Sequence, residues 1–181
     1  MTKLDSAPTL AKLIEAVAAA NPLQRKRIDG FLSQQGPVYF EEAEAITRAL
    51  VKYGESHSLG VEDLAEFYNN MVREMIRLQI DFRKTGQYRA NGFDSASENI
   101  YQNPDRMFRY MFGLAISQVL WSNHYQIYRF FREVIGKEPL LGRYLEVGAG
   151  HGLYVAAAME MLPDATFSVM DISQTPLDFT G

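Results

Sequence analysis

The chain has no cysteine among its 181 residues. That excludes disulfides, thiol nucleophiles and cysteine-held zinc or iron–sulfur sites. It also has no excess of basic charge: 18 Lys and Arg stand against 22 Asp and Glu, a net of −4. A dedicated nucleic-acid binder usually carries the opposite balance. The three basic residues of QRKRID (24–29) are too few to change this, and read as a solvated helix face. An N-terminal apolar run of signal-peptide type is missing as well, since Asp5 and Glu15 interrupt it. There is no internal repeat and no low-complexity tract.

One stretch approaches membrane-spanning length. Between Arg109 and Arg129 lie 19 uncharged residues, YMFGLAISQVLWSNHYQIY. Ser117, Gln118, Ser122, Asn123, His124 and Gln126 are too many polar groups for hydrocarbon without partners. The expectation is a buried core helix in a cytoplasmic protein without membrane contact.

What is present is helix, through most of the chain. Asn21-Pro22 and Asn103-Pro104 each read as a side-chain cap followed by proline at the first helical position. Helices are expected at 6–20, 22–34, 40–53 and 61–84. The third should carry an acidic first turn in EEAEAITRALVKY, followed by a loop at 54–60. In the fourth, Leu64, Phe67, Tyr68, Met71, Met75, Leu78 and Phe82 form one core-facing stripe. Residues 85–103 are turn-rich and serve as a surface connection or a lid. One long helix follows at 104–135, apolar on much of its circumference, surrounded by other elements and stopped by a left-handed Gly136.

The character changes at Lys137. YLEVGAG reads as a buried strand entering a glycine turn, LYVAAAMEML as a helix and ATFSVMDIS as a second strand. Strand, glycine loop, helix and strand fill 143–173, about the 30 residues of one parallel crossover unit. Two parallel strands are marginal as a sheet and need both faces covered. The expectation is therefore that the chain is the N-terminal portion of a longer protein.

The chemistry concentrates in Leu145-Glu146-Val147-Gly148-Ala149-Gly150-His151-Gly152, with Asp171 placed 19 residues further on. Gly148 lets the chain turn sharply out of the strand. Gly150 lets a ligand approach the backbone, and Gly152 permits close packing at the helix start. Asp171 is placed to accept hydrogen bonds from both hydroxyls of a ribose. A dinucleotide fingerprint needs its third glycine at the sixth position, where Leu153 stands, so a nicotinamide or flavin enzyme is disfavoured. Glu146 would also repel a pyrophosphate. It is better explained by a cationic ligand group such as an α-ammonium.

These residues resemble the first motif and ribose-binding strand end of the class I S-adenosylmethionine-dependent methyltransferases. YLEVGAGHG matches the acidic-x-Gly-x-Gly-x-Gly motif, and VMDIS the strand end. The resemblance covers 30 to 40 residues. It implies Glu146 near the methionine amino group of S-adenosyl-L-methionine. It also implies Gly148, Ala149 and Gly150 around the methionine and ribose, Asp171 on the ribose hydroxyls and Ile172 against the adenine.

The fold class expected is mainly α: a helical domain at 1–136, then at 137–181 the first strand-helix-strand unit of a doubly wound methyltransferase domain. The intact protein would transfer a methyl group to a small-molecule acceptor, and this fragment alone would be inactive. No metal site is expected and no catalytic residue is identified. His151 is not given a catalytic role. Tyr110, Trp121, Asn123, His124 and Tyr128 are candidates to reach the methionine part, although His124 and Trp121 also suit a packed core. A homodimer through the helical domain is expected. The alternative is a helical dimerisation or interaction module without catalysis of its own.

Overall fold

The computed structural model describes residues 3–88, 103–138 and 142–180. It is mainly helical, with eight α-helices and a two-stranded parallel sheet among the described residues. No helix among those residues is long and apolar enough to cross a membrane. The chain forms two compact units, Met1–Arg77 with Phe112–Tyr125 and Leu78–Met111 with Gln126–Gly181.

The first unit is built on α1 (Pro8–Ala20), α2 (Pro22–Leu32), α3 (Pro37–Ser56) and the first part of α4 (Val61–Thr85). Each of the first three starts at a proline, whose missing N–H would be unpaired there anyway. Leu10, Leu13, Ile14 and Val17 of α1 are buried, as are Phe40, Ala43, Ile46 and Leu50 of α3. Ala7 offers α1 no side-chain cap. Instead the Glu44 carboxylate accepts from the backbone N–H groups of Thr9 and Leu10, at 3.0 and 2.9 Å. A charge 35 residues away thus satisfies the positive end of α1.

Several expectations are corrected. The third helix begins at Pro37 rather than 40, so Glu41 and Glu42 fall outside its first turn. It also runs through the first residues of the expected 54–60 loop. Asn103 caps as anticipated, its Oδ1 accepting from Arg106 N–H at 3.0 Å. Asn21 does not; there the backbone carbonyl accepts from Gln24 N–H at 3.0 Å. On α4 the stripe is buried from Leu64 to Met71, but Met75, Leu78 and Phe82 are exposed. The expected lid lies, at 89–102, outside the described residues.

The single long helix is two: α5 (Pro104–Leu120) and α6 (Ser122–Gly136), parted at Trp121. The Tyr39 hydroxyl donates to the Val119 carbonyl at 2.6 Å, both buried. In an unbroken helix that carbonyl would accept from the N–H of residue 123. A side chain inserted into the ladder is a known cause of a helix kink. The Trp121 indole N–H donates to the Tyr68 hydroxyl at 2.8 Å, and the Tyr125 hydroxyl to Glu42 at 2.6 Å. Three ties therefore hold the break against α3 and α4. Nor is α6 surrounded: Ile127, Phe130 and Val134 are exposed, Phe130 by 66%. Gly136 ends α6 without a left-handed φ.

In the second unit, β1 (Arg143–Val147) and β2 (Thr166–Met170) are parallel neighbours. Their register pairs Tyr144 with Phe167, Glu146 with Val169 and Val147 with Met170. The crossover between them is α7 (Leu153–Met161), and α8 (Gln174–Thr180) follows β2. Val155, Ala157 and Ala158 bury one side of α7. Helix α6 packs against it, with Phe131 edge-on to Tyr154 at 5.0 Å and Arg132 bonded to Glu160 at 3.1 Å. The strand expected to be buried alternates instead. Tyr144 and Glu146 are half-buried, while Leu145 and Val147 are 58% and 73% exposed. One face of the sheet is thus bare.

Candidate functional site

Because β1 and β2 run the same way, their C-terminal ends lie side by side. The Gly148 N–H donates to the Met170 carbonyl at 2.7 Å, carrying the pairing one residue past the strand. The chain then bends. Gly148, Gly150 and Gly152 all adopt left-handed backbone, with φ of 76°, 54° and 70°. A side-chain-bearing residue enters that region at a cost of ~1–2 kcal/mol, so the alternate glycines are a requirement of the bend itself. A Cβ on Gly148 would meet nothing within 4 Å, and one on Gly150 would make only ordinary contacts, with the Gly148 carbonyl oxygen and Met111 Sδ, both at 3.9 Å. The space beside the bend is therefore open.

Asp171 immediately follows β2. One carboxylate oxygen accepts from the Gly150 N–H at 3.2 Å, the other from the Ser173 N–H at 3.1 Å. The carboxylate is thereby pinned to the glycine bend. A carboxylate offers about four lone-pair sites, so two remain for a ligand's hydroxyls. Ile172, next along, is 59% exposed and presents an apolar surface beside them.

Glu146 is half-buried on β1. Burial pushes its carboxyl up from the ordinary range, and a hydrogen bond from the Tyr144 phenol opposes this. That bond is 2.7 Å, from the Tyr144 hydroxyl to Glu146 Oε2. Burial, and next the bond to Glu146, push the Tyr144 phenol up. The Tyr154 phenol is raised too, by burial first and then by Glu146 and Tyr128. Two carboxylates at adjacent strand ends, with no basic side chain bonded to either in the described structure, favour a cationic or hydroxyl-bearing ligand over an anion.

The structure thus gathers Glu146, Gly148, Ala149, Gly150, Gly152, Asp171 and Ile172 at one end of the sheet. His151 is buried beside them, and its Nδ1 accepts from the Leu153 N–H at 3.2 Å. It caps α7, with its ring stacked on Tyr154 at 5.8 Å. Of the other candidates, Tyr128 is in the same unit, buried 6.0 Å from Tyr154. Tyr110 is also in this unit, half-buried. Trp121, Asn123 and His124 belong to the first unit. There the His124 imidazole bonds Ser117 at 2.8 Å and its ring lies 4.8 Å from Trp121. Sequence reasoning missed Tyr144. The signal was strand periodicity, which sets residues two apart on one face and so places Tyr144 beside Glu146. Among the described residues no three metal-ligating side chains come together.

No protein-family model, no curated protein and no solved structure matches this chain.

Proposed function

We propose that the chain carries the S-adenosyl-L-methionine-binding start of a methyltransferase that acts on a small-molecule acceptor. The observation that carries this reading is the fixing of Asp171. Two backbone N–H groups hold its carboxylate against the bend, and its remaining lone pairs suit the two hydroxyls of a ribose. Glu146 suits the α-ammonium at the other end of the ligand. Ile172 gives the adenine an apolar seat. When bound, the sulfonium would supply a methyl group already activated for in-line displacement. The protein's part is to orient it and to exclude water. In this reading residues 137–181 bind the nucleoside, and the helical part at 1–136 supplies a dimer contact.

Isothermal titration of the 181-residue chain with S-adenosylhomocysteine tests the reading. Binding is expected, and Asp171→Ala should weaken it by ~1–3 kcal/mol through lost hydrogen bonds to a charged group. Equal affinity in the variant refutes the ribose assignment, and absence of binding refutes the cofactor.

A further inference from the structure

The Tyr144 phenol has no role in the reading above. It is aimed along its own strand at Glu146, 2.7 Å from Oε2. Its ring is held by the cross-strand partner Phe167, centroids 5.4 Å apart, on the register that pairs these two residues. Cross-strand aromatic pairs stabilise side chains on a sheet face, which favours the orientation that aims the hydroxyl at Glu146. It occupies one carboxylate oxygen and leaves Oε1 for a ligand.

We infer that Tyr144 is a positioning residue that keeps Glu146 ionised and oriented, making the site selective for nucleosides that carry an amino-acid ammonium group. This rests on the cofactor reading above and adds a specificity determinant to it. The physical case is a balance of two effects. Burial alone favours the neutral acid, which cannot attract a cation. A phenol donating to the carboxylate favours the charged form, and charge-assisted bonds of this kind are the strong ones. The titratable groups near Glu146 are Tyr144 on its own strand, Tyr154 from α7 and the Asp171 carboxylate at the end of the neighbouring strand. Behind Tyr154 stand His151 in the loop and Tyr128 from α6. None is a fixed cation, so Tyr144 alone among them supports the negative charge by a direct bond.

Two probes separate the halves of the site: S-adenosylhomocysteine, which carries the ammonium group, and methylthioadenosine, which lacks the amino-acid part. In Tyr144→Phe, S-adenosylhomocysteine should bind about tenfold more weakly, as for a lost bond to a charged group. Methylthioadenosine should be unchanged within about twofold. The loss of S-adenosylhomocysteine affinity on acidification should also begin at higher pH in the variant, because Glu146 then takes up its proton earlier. In a Glu146→Gln background the same change at Tyr144 should have no selective effect. Equal weakening of both probes, or of neither, overturns the inference while leaving the cofactor reading intact. Failure of the unaltered chain to bind either probe overturns the cofactor reading, and the inference with it.

Discussion

At the scale of single residues, the informative side chains are polar groups with unusual partners. Ser117 has one hydroxyl proton and donates it to the Leu114 carbonyl at 2.6 Å. The contact from His124 Nδ1 at 2.8 Å therefore places the imidazole proton on Nδ1. Burial lowers the affinity of His124 for a second proton. The unfolded chain then binds that proton more tightly than the folded one. The stability that His124 contributes is full above the unfolded value of ~6.5 and drains away as pH falls toward the folded value. Thermal melts of the unaltered chain and His124→Gln should show a gap that narrows between about pH 7.5 and about pH 5.5. A gap independent of pH would show that His124 titrates alike in both states. Glu146, Asp171 and the three glycines were legible because strand, bend and helix each impose a local requirement. Tyr144 was not legible, because its role depends on the burial of Glu146, which composition does not reveal. The contact of His151 Nδ1 with the first amide of α7 becomes visible only once the Leu153 N–H has a direction.

At the scale of elements, Gly113 of α5 sits tightly against α4. A Cβ there would lie 3.0 Å from Met71 Cβ and 3.2 Å from the Phe67 carbonyl oxygen. Neither is the end of a flexible side chain, so the backbone itself would have to yield. Overpacking of this kind costs ~1–3 kcal/mol, while alanine gains up to ~1 kcal/mol over glycine in a helix. Crowding wins: Gly113→Ala should lose about 1 kcal/mol in chemical denaturation. An unchanged midpoint would mean that the helices part without penalty. The same scale explains what the sequence concealed. Helices α1 and α2 were readable to within a few residues, α1 from its apolar stripe and α2 from the proline at its start. The break at Trp121 was not, since the side chain that takes the Val119 carbonyl there is Tyr39, 80 residues away. The Glu44 cap on α1 is equally remote. Hydrophobic periodicity also overstated burial in α6 and the latter half of α4, because an apolar stripe does not say what covers it.

At the scale of the whole molecule, the parallel sheet has two strands and one bare face. Sheets of that size are marginal by themselves, whereas α1, α3 and α4 share a core around fully buried Tyr68, Leu10 and Leu64. Local stability should follow that contrast. Native-state hydrogen exchange should release the amides of β1 and β2 well before those of α1 and α3. Matching protection in the two sets would show that the sheet and the helical core open as one cooperative unit.

The first unit is interrupted in sequence, and this sets an order of events during synthesis. Its last piece is Phe112–Tyr125. On the ribosome, Tyr39, Glu42 and Tyr68 emerge long before Val119, Tyr125 and Trp121, with which they bond. Until then the Tyr39 hydroxyl lacks the Val119 carbonyl and the Tyr68 hydroxyl lacks the Trp121 indole N–H, and the helical cluster is incomplete. A nascent chain paused short of residue 125 is thus a client for holding chaperones, and one released there is a target for proteolysis.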